Sequence, residues 1–190
     1  GGANFVHVIR EDTKNVNLLF LGTDVGAYVS GDRGATWQPF MTGLPNVPVH
    51  DLRIHPRDAE LIAGTHGRAI WIVDIAPLQQ MAGALTQTAH LYAPRTAFQW
   101  GEPPMEGHST GNLLFAAPSP QYGADIWYHL ARPAGGPVSV VVTNGGGDVV
   151  ATINGPSSAG LHRVSWNSSP DVFAWFSSRW RIESTRAGED

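Results

Sequence analysis

The acidic side chains are the first place to look for chemistry in this chain. Hydrolysis of a glycosidic bond needs two carboxyl groups facing each other across the scissile bond, roughly 5 to 9.5 Å apart. In the first half of the sequence the candidates are Asp12, Asp24 and Asp51. Asp24 follows Gly22-Thr23 where an apolar stretch ends, and Asp51 lies between Val49 and Leu52 in a stretch that reads as a strand. Pointed at an open centre, Asp24 or Asp51 would serve as an acid, a base or a ligand contact. Turn and ladder roles are the commoner use of such residues. His66 and Arg68, in Thr65-His66-Gly67-Arg68, stand before another apolar stretch. Together they offer two contacts for an anionic ligand, with a structural turn as the competing reading.

Several other chemistries lack their residues. With no cysteine in the sequence there is no thiol nucleophile, disulfide or cysteine-type zinc site. The eight histidines include no closely spaced pair of the zinc-binding kind. Serines lack a Gly-x-Ser-x-Gly elbow, and neither a phosphate loop nor a dinucleotide fingerprint is present. No metal and no cofactor are therefore expected. A single lysine, Lys14, and a formal net charge of −4 leave no basic field for a nucleic acid backbone. No apolar run approaches the roughly 20 residues a membrane span requires. Trp127, Trp166, Trp175 and Trp180 would suit a sugar-stacking platform, but the favoured reading is that Trp127 and Trp166 fill a core.

The elements that must position these residues show a repeat. Val6-His7-Val8-Ile9-Arg10 recurs 43 residues on as Val49-His50-Asp51-Leu52-Arg53, and Gly22-Thr23 recurs 42 residues on as Gly64-Thr65. Asp32, after Tyr28-Val29, corresponds to Asp74, after Trp71-Ile72-Val73, and both read as turn residues. Four strands are expected at 5–10, 18–23, 26–30 and 36–40, and three more at 49–54, 60–65 and 68–73. A period near 42 is what a four-stranded propeller blade occupies. Leu18 to Leu21 and Ala69 to Val73 are apolar almost without alternation, as expected of strands covered on both faces. A short helical turn is expected at Pro77 to Met81 and a strand at Ala89 to Tyr92.

Between the third and fourth expected strands lies Ser30-Gly31-Asp32-Arg33-Gly34-Ala35-Thr36-Trp37. Asp32 can accept from backbone N–H groups beyond it, Gly34 can take a positive φ, Thr36 adds a polar anchor, and Trp37 holds the turn down. Ser30, Asp32, Gly34, Thr36 and Trp37 match the five defining positions of the Asp box, and the stretch resembles that turn of sialidase-like and sortilin-like β-propellers. Gly-Leu-Pro at 43–45, Pro-Val-His-Asp-Leu at 48–52, Gly-Thr-His-Gly-Arg at 64–68 and Ile-Trp-Ile-Val-Asp at 70–74 extend the resemblance. They look like the last blades of bacterial Asp-box proteins labelled glycosyl hydrolase or sortilin-like.

The Gly- and Pro-rich stretch 100–111 reads as a linker. Beyond it, strands at 124–130, 138–143, 149–153 and 161–167, with a turn at Asn144 to Asp148, indicate a β-sandwich. Ala159, Gly160, His162, Val164 and Trp166 resemble a strand of the small immunoglobulin-like domain appended to secreted bacterial enzymes. The pattern fails after Asn167, where Phe173 to Phe176 and Ser178 to Arg181 do not continue the expected final strands.

The expected architecture is thus all-β: two blades of an incomplete Asp-box propeller over 1–99, a linker over 100–111, and an immunoglobulin-like sandwich over 112–190. Two blades do not close a ring, so further blades of the same chain are expected upstream. Gly1-Gly2-Ala3-Asn4 shows no export leader, whereas the resemblance implies a secreted or periplasmic protein. Its functional implications are two. One is a non-catalytic fragment of a propeller that binds polysaccharide, peptide or protein, with His66 and Arg68 as channel contacts. The other is part of a xyloglucanase-like or sialidase-like glycoside hydrolase, for which Asp24 and Asp51 are the candidate catalytic residues. For a sialidase the arginines Arg10, Arg53 and Arg68 are only loosely placed, without the paired tyrosine and glutamate.

Overall fold

The computed structural model describes residues 4–40, 42–97, 123–166 and, for the backbone alone, 179–184. It is mostly β and divides into two compact units, residues 1–87 and 88–190. The expected linker at 100–111 lies outside the described residues.

In the first unit, β1 (Val6–Glu11), β2 (Leu19–Thr23), β3 (Gly26–Ser30) and β4 (Gln38–Pro39) form one antiparallel sheet in that order. A second sheet follows from β5 (Val49–His55), β6 (Glu60–Thr65) and β7 (Ile70–Asp74). The 42- to 43-residue repeat is therefore a repeat of sheets. Paired residues share a face, so Val8, Gly22 and Ala27 line one side of the first sheet with Phe20. Leu52, Ala63, Leu61 and Ile54 line one side of the second. These two sides meet in a common core in which Phe20, Val49 and Leu52 have no exposure. Gly22 permits the approach, since a Cβ there would stand 2.6 Å from the Val49 carbonyl oxygen. Arg10 ties the sheets polarly, its Nε donating to the Leu52 carbonyl at 2.8 Å.

The expected helical turn is present as two single turns, α1 (Ala76–Gln79), with Pro77 in its first turn, and α2 (Met81–Ala84). Ile75, fully buried, enters the core just before α1. Gln79 then clasps the β1–β2 hairpin, its Nε2 donating to Asp12 Oδ1 at 2.7 Å.

One expectation fails in this unit. The run Ala69 to Val73 is not covered on both faces: Ile70 is 69% exposed and Ile72 61%. The first sheet continues from β3 into β4, but β7 is an edge strand among the described residues. Ala69 adopts a left-handed φ of 66°, which ends the preceding turn and delays the strand to Ile70.

The second unit pairs two three-stranded antiparallel sheets. Strands β9 (Ala124–Leu130), β12 (Gly160–Trp166) and β8 (Ala89–Leu91) form one, with β9 central. The other has β10 (Val138–Thr143) between β11 (Val149–Gly155) and β13 (Arg179–Ser184). Ile126, Tyr128, Leu130, Val138, Val140, Val142 and Val164 form their shared core.

Three expectations are corrected here. The strand at 89–91, assigned to the first region, pairs with β9 instead. Residues 179–184, where the sequence pattern did not continue the expected final strands, pair antiparallel with β10; β10 is buried along nearly its whole length and needs partners on both edges. Trp127 does not fill the core. Strict alternation buries Ala124, Ile126, Tyr128 and Leu130, which sends Trp127 to the opposite face, where the Arg163 guanidinium lies 5.8 Å from its ring. Trp166 does pack against the core. Trp175 is outside the described residues, and only the backbone of Trp180 is described.

Candidate functional site

The turn after β3 is held by side chains. Asp32 Oδ1 accepts from the Thr36 N–H at 2.8 Å, and Asp32 Oδ2 from the Thr36 hydroxyl at 2.6 Å. Ser30 donates its hydroxyl to Asp32 Oδ1 at 2.7 Å and accepts from the Gly34 N–H at 2.8 Å. Gly34 has a φ of +88°, and a Cβ there would stand 3.5 Å from a ring carbon of the half-buried Trp37. Hydrogen bonds from the Thr36 hydroxyl, the Thr36 backbone and the Ser30 hydroxyl hold the Asp32 carboxyl down at about 2. Such a carboxylate is a fastener, fully ionised at any physiological pH.

The three candidate carboxylates are all engaged. Asp12 is 2% exposed and accepts from the backbone of Lys14 and Asn15 as well as from Gln79. Asp51 takes Arg53 Nε at 3.0 Å, Arg10 Nη2 at 2.9 Å and the Leu52 N–H at 3.0 Å. The Arg53 hydrogen bond, aided by the charges of Arg53 and Arg10, lowers its affinity for a proton below the ordinary carboxylate value. Asp24 meets His7 Nε2 at 2.6 Å and accepts from the Phe5 N–H. Asp74, the counterpart of Asp32, caps the chain at α1 by accepting from the Ala76 N–H at 2.9 Å. Among the described residues no group of three or more histidines and carboxylates is placed to hold a metal ion.

The arrangement that spacing alone did not reveal is a row of histidines at one end of the first unit. His7 and His50 occupy the same repeat position, and each is the residue at which its strand shifts register against its partner, between Val6 and Val8 and between Val49 and Asp51. An extra residue of this kind re-aims its side chain. The His7 and His50 ring centroids lie 4.5 Å apart, and those of His50 and His66 lie 5.4 Å apart. His66 is set by its own N–H donating to the Pro48 carbonyl at 2.9 Å. Arg68 is exposed, and its carbonyl accepts from Trp71 Nε1 at 2.8 Å. The 43-residue spacing of His7 and His50 was the available signal; the paired bulges were not legible without the strand register.

No protein-family model matches the chain, and no curated protein and no solved structure is significantly similar to it. Among the described residues no helix is long and apolar enough to cross a membrane.

Proposed function

We propose that the chain supplies two blades of a larger Asp-box propeller and an immunoglobulin-like accessory sandwich, and that this part is a non-catalytic binding or scaffolding module of a secreted or periplasmic protein. Its ligand is a glycan, a peptide or a protein held by the complete ring. The reading is carried by one observation: β7 presents Ile70 and Ile72 to solvent on the face turned away from the first sheet, at an edge with no strand beside it among the described residues. Stacked sheets that repeat by translation along a ring leave such a face until the next sheet covers it. The engagement of Asp24 by His7 and of Asp51 by Arg10 and Arg53 supports a non-catalytic role, because both carboxylates are held by neighbouring side chains.

Sedimentation tests the reading. The isolated chain associates with rising concentration, and Ile70→Lys with Ile72→Lys reverses this without changing its circular dichroism. A compact monomer at all concentrations that binds no hydrophobic dye overturns it. Turnover of β-glucans or sialosides by the longer protein, lost in Asp24→Asn or Asp51→Asn, overturns the non-catalytic part.

A further inference from the structure

We propose that His50 and His66, with His7 behind them, form a binding site for a small oxyanion, a carboxylate or a phosphate group, which fills as the imidazoles take up protons. The first support is the construction. Register breaks at the same repeat position in both sheets and turns His7 and His50 toward each other, and the loop closing on Pro48 brings His66 alongside. Two independent strands spend a bulge on this contact, and bulges cost ladder hydrogen bonds.

The second support is what the rings lack. His7 is satisfied by Asp24, His55 by the Asp58 N–H and His162 by the Ser158 carbonyl. The ring nitrogens of the exposed His50 and His66 make no hydrogen bond to any described residue. A neutral imidazole carries one N–H donor and a protonated one two, so the pair gains donors as pH falls through the range where histidine changes charge.

The charges around the row leave it wanting an anion. On the first sheet, Asp24 is committed to His7, and Arg10 reaches past it to Asp51. On the second, Asp51 is shared between Arg10 and Arg53, and Arg68 follows His66 by two residues with its side chain exposed. Protonation of adjacent rings therefore builds positive charge beside Asp24 and Asp51, both of which already have cationic or imidazole partners. An oxyanion accepting from both rings removes that repulsion, so anion binding and proton uptake strengthen each other by the same factor.

Imidazole proton–carbon NMR on the full chain tests this, with inorganic phosphate and glucuronate titrated separately at about pH 5.5 and about pH 7.5, either side of histidine's ordinary value. The His50 and His66 signals move saturably, and the midpoint is higher at the higher pH. Response to one titrant alone assigns the site to phosphate or to carboxylate; response to both assigns it to oxyanions in general. His50→Gln and His66→Gln each abolish the response while keeping the amide spectrum, and His162→Gln leaves it intact. Shifts that never saturate, that move His162 as far as His50, or that ignore pH overturn the proposal. The proposed site lies within the first unit and does not depend on further blades, so a chain that sediments as a monomer defeats the propeller reading and leaves this test standing.

Discussion

In the first unit each sheet gives one face to its neighbour and keeps the other outward, whereas in the second unit two sheets close on each other around a single core. The consequence shows at the surface. Phe5, Val6, Ile9, Ile70, Trp71, Ile72 and Val73 are exposed in the first unit, while the described part of the second exposes only Val149 and Leu161 among large apolar residues. The two sheets of the second unit share one core, and the second sheet of the first unit keeps Ile70 and Ile72 in water. Exposed apolar side chains grouped along one strand, as at Ile70 and Ile72, mark an interaction face.

A substitution in one unit is expected to leave the other unchanged. Phe20→Ala removes a fully buried ring from the stacked core and lowers stability by about 3 to 5 kcal/mol. Hydrogen exchange is expected to accelerate across β1 to β7 and to stay unchanged in β9 and β10; uniform loss of protection would show one cooperative unit. In the second unit, Tyr128 is fully buried and its hydroxyl donates to the Pro156 carbonyl at 2.6 Å. Tyr128→Phe costs about 1 to 2 kcal/mol through the carbonyl left without its donor, read as a lower denaturant midpoint with the first unit's exchange unaltered.

Smaller effects are expected at the surface of the first unit. The Asp32 carboxyl is depressed to about 2 from an ordinary 3.8, so its contribution is present above about pH 4 and lost as pH falls through about 2. The first unit's midpoint therefore drops over that window, and Asp32→Ala lowers the midpoint at neutral pH while flattening the acid response. Ile72→Lys changes stability least, within about 0.5 kcal/mol, because the side chain is already in water. Its effect is read in sedimentation, as reduced association.

Much of the fold was legible because repeat and alternation are local signals. Glu60–Thr65, Ala124–Leu130 and Val138–Thr143 form strands at their expected bounds, each set by β-favouring residues between turn residues. The Ser30 to Trp37 turn was legible for the same reason, its partners lying within four residues of each other. What escaped was non-local. Nothing near Arg179 announces a partner at Val138 to Thr143, and the pairing of Ala89 to Leu91 with Leu130 to Tyr128 depends on a strand far along the chain. The facing of Trp127 was a matter of parity, since moving one position along a strand changes sides. The histidine row required both register shifts to be known at once.

The late arrival of β13 has a bearing on how the chain is made. Val140 and Val142 have no exposure in the finished unit, yet β10 leaves the ribosome well before the strand that covers its second edge. The hairpins of the first unit join neighbours in sequence and can form as they emerge, whereas β10 must wait with one row of backbone donors and acceptors open. During that interval the nascent chain is most exposed to pairing with a second copy of itself. Slowed synthesis between Gly155 and Arg179 would lengthen the interval and lower the yield of folded protein.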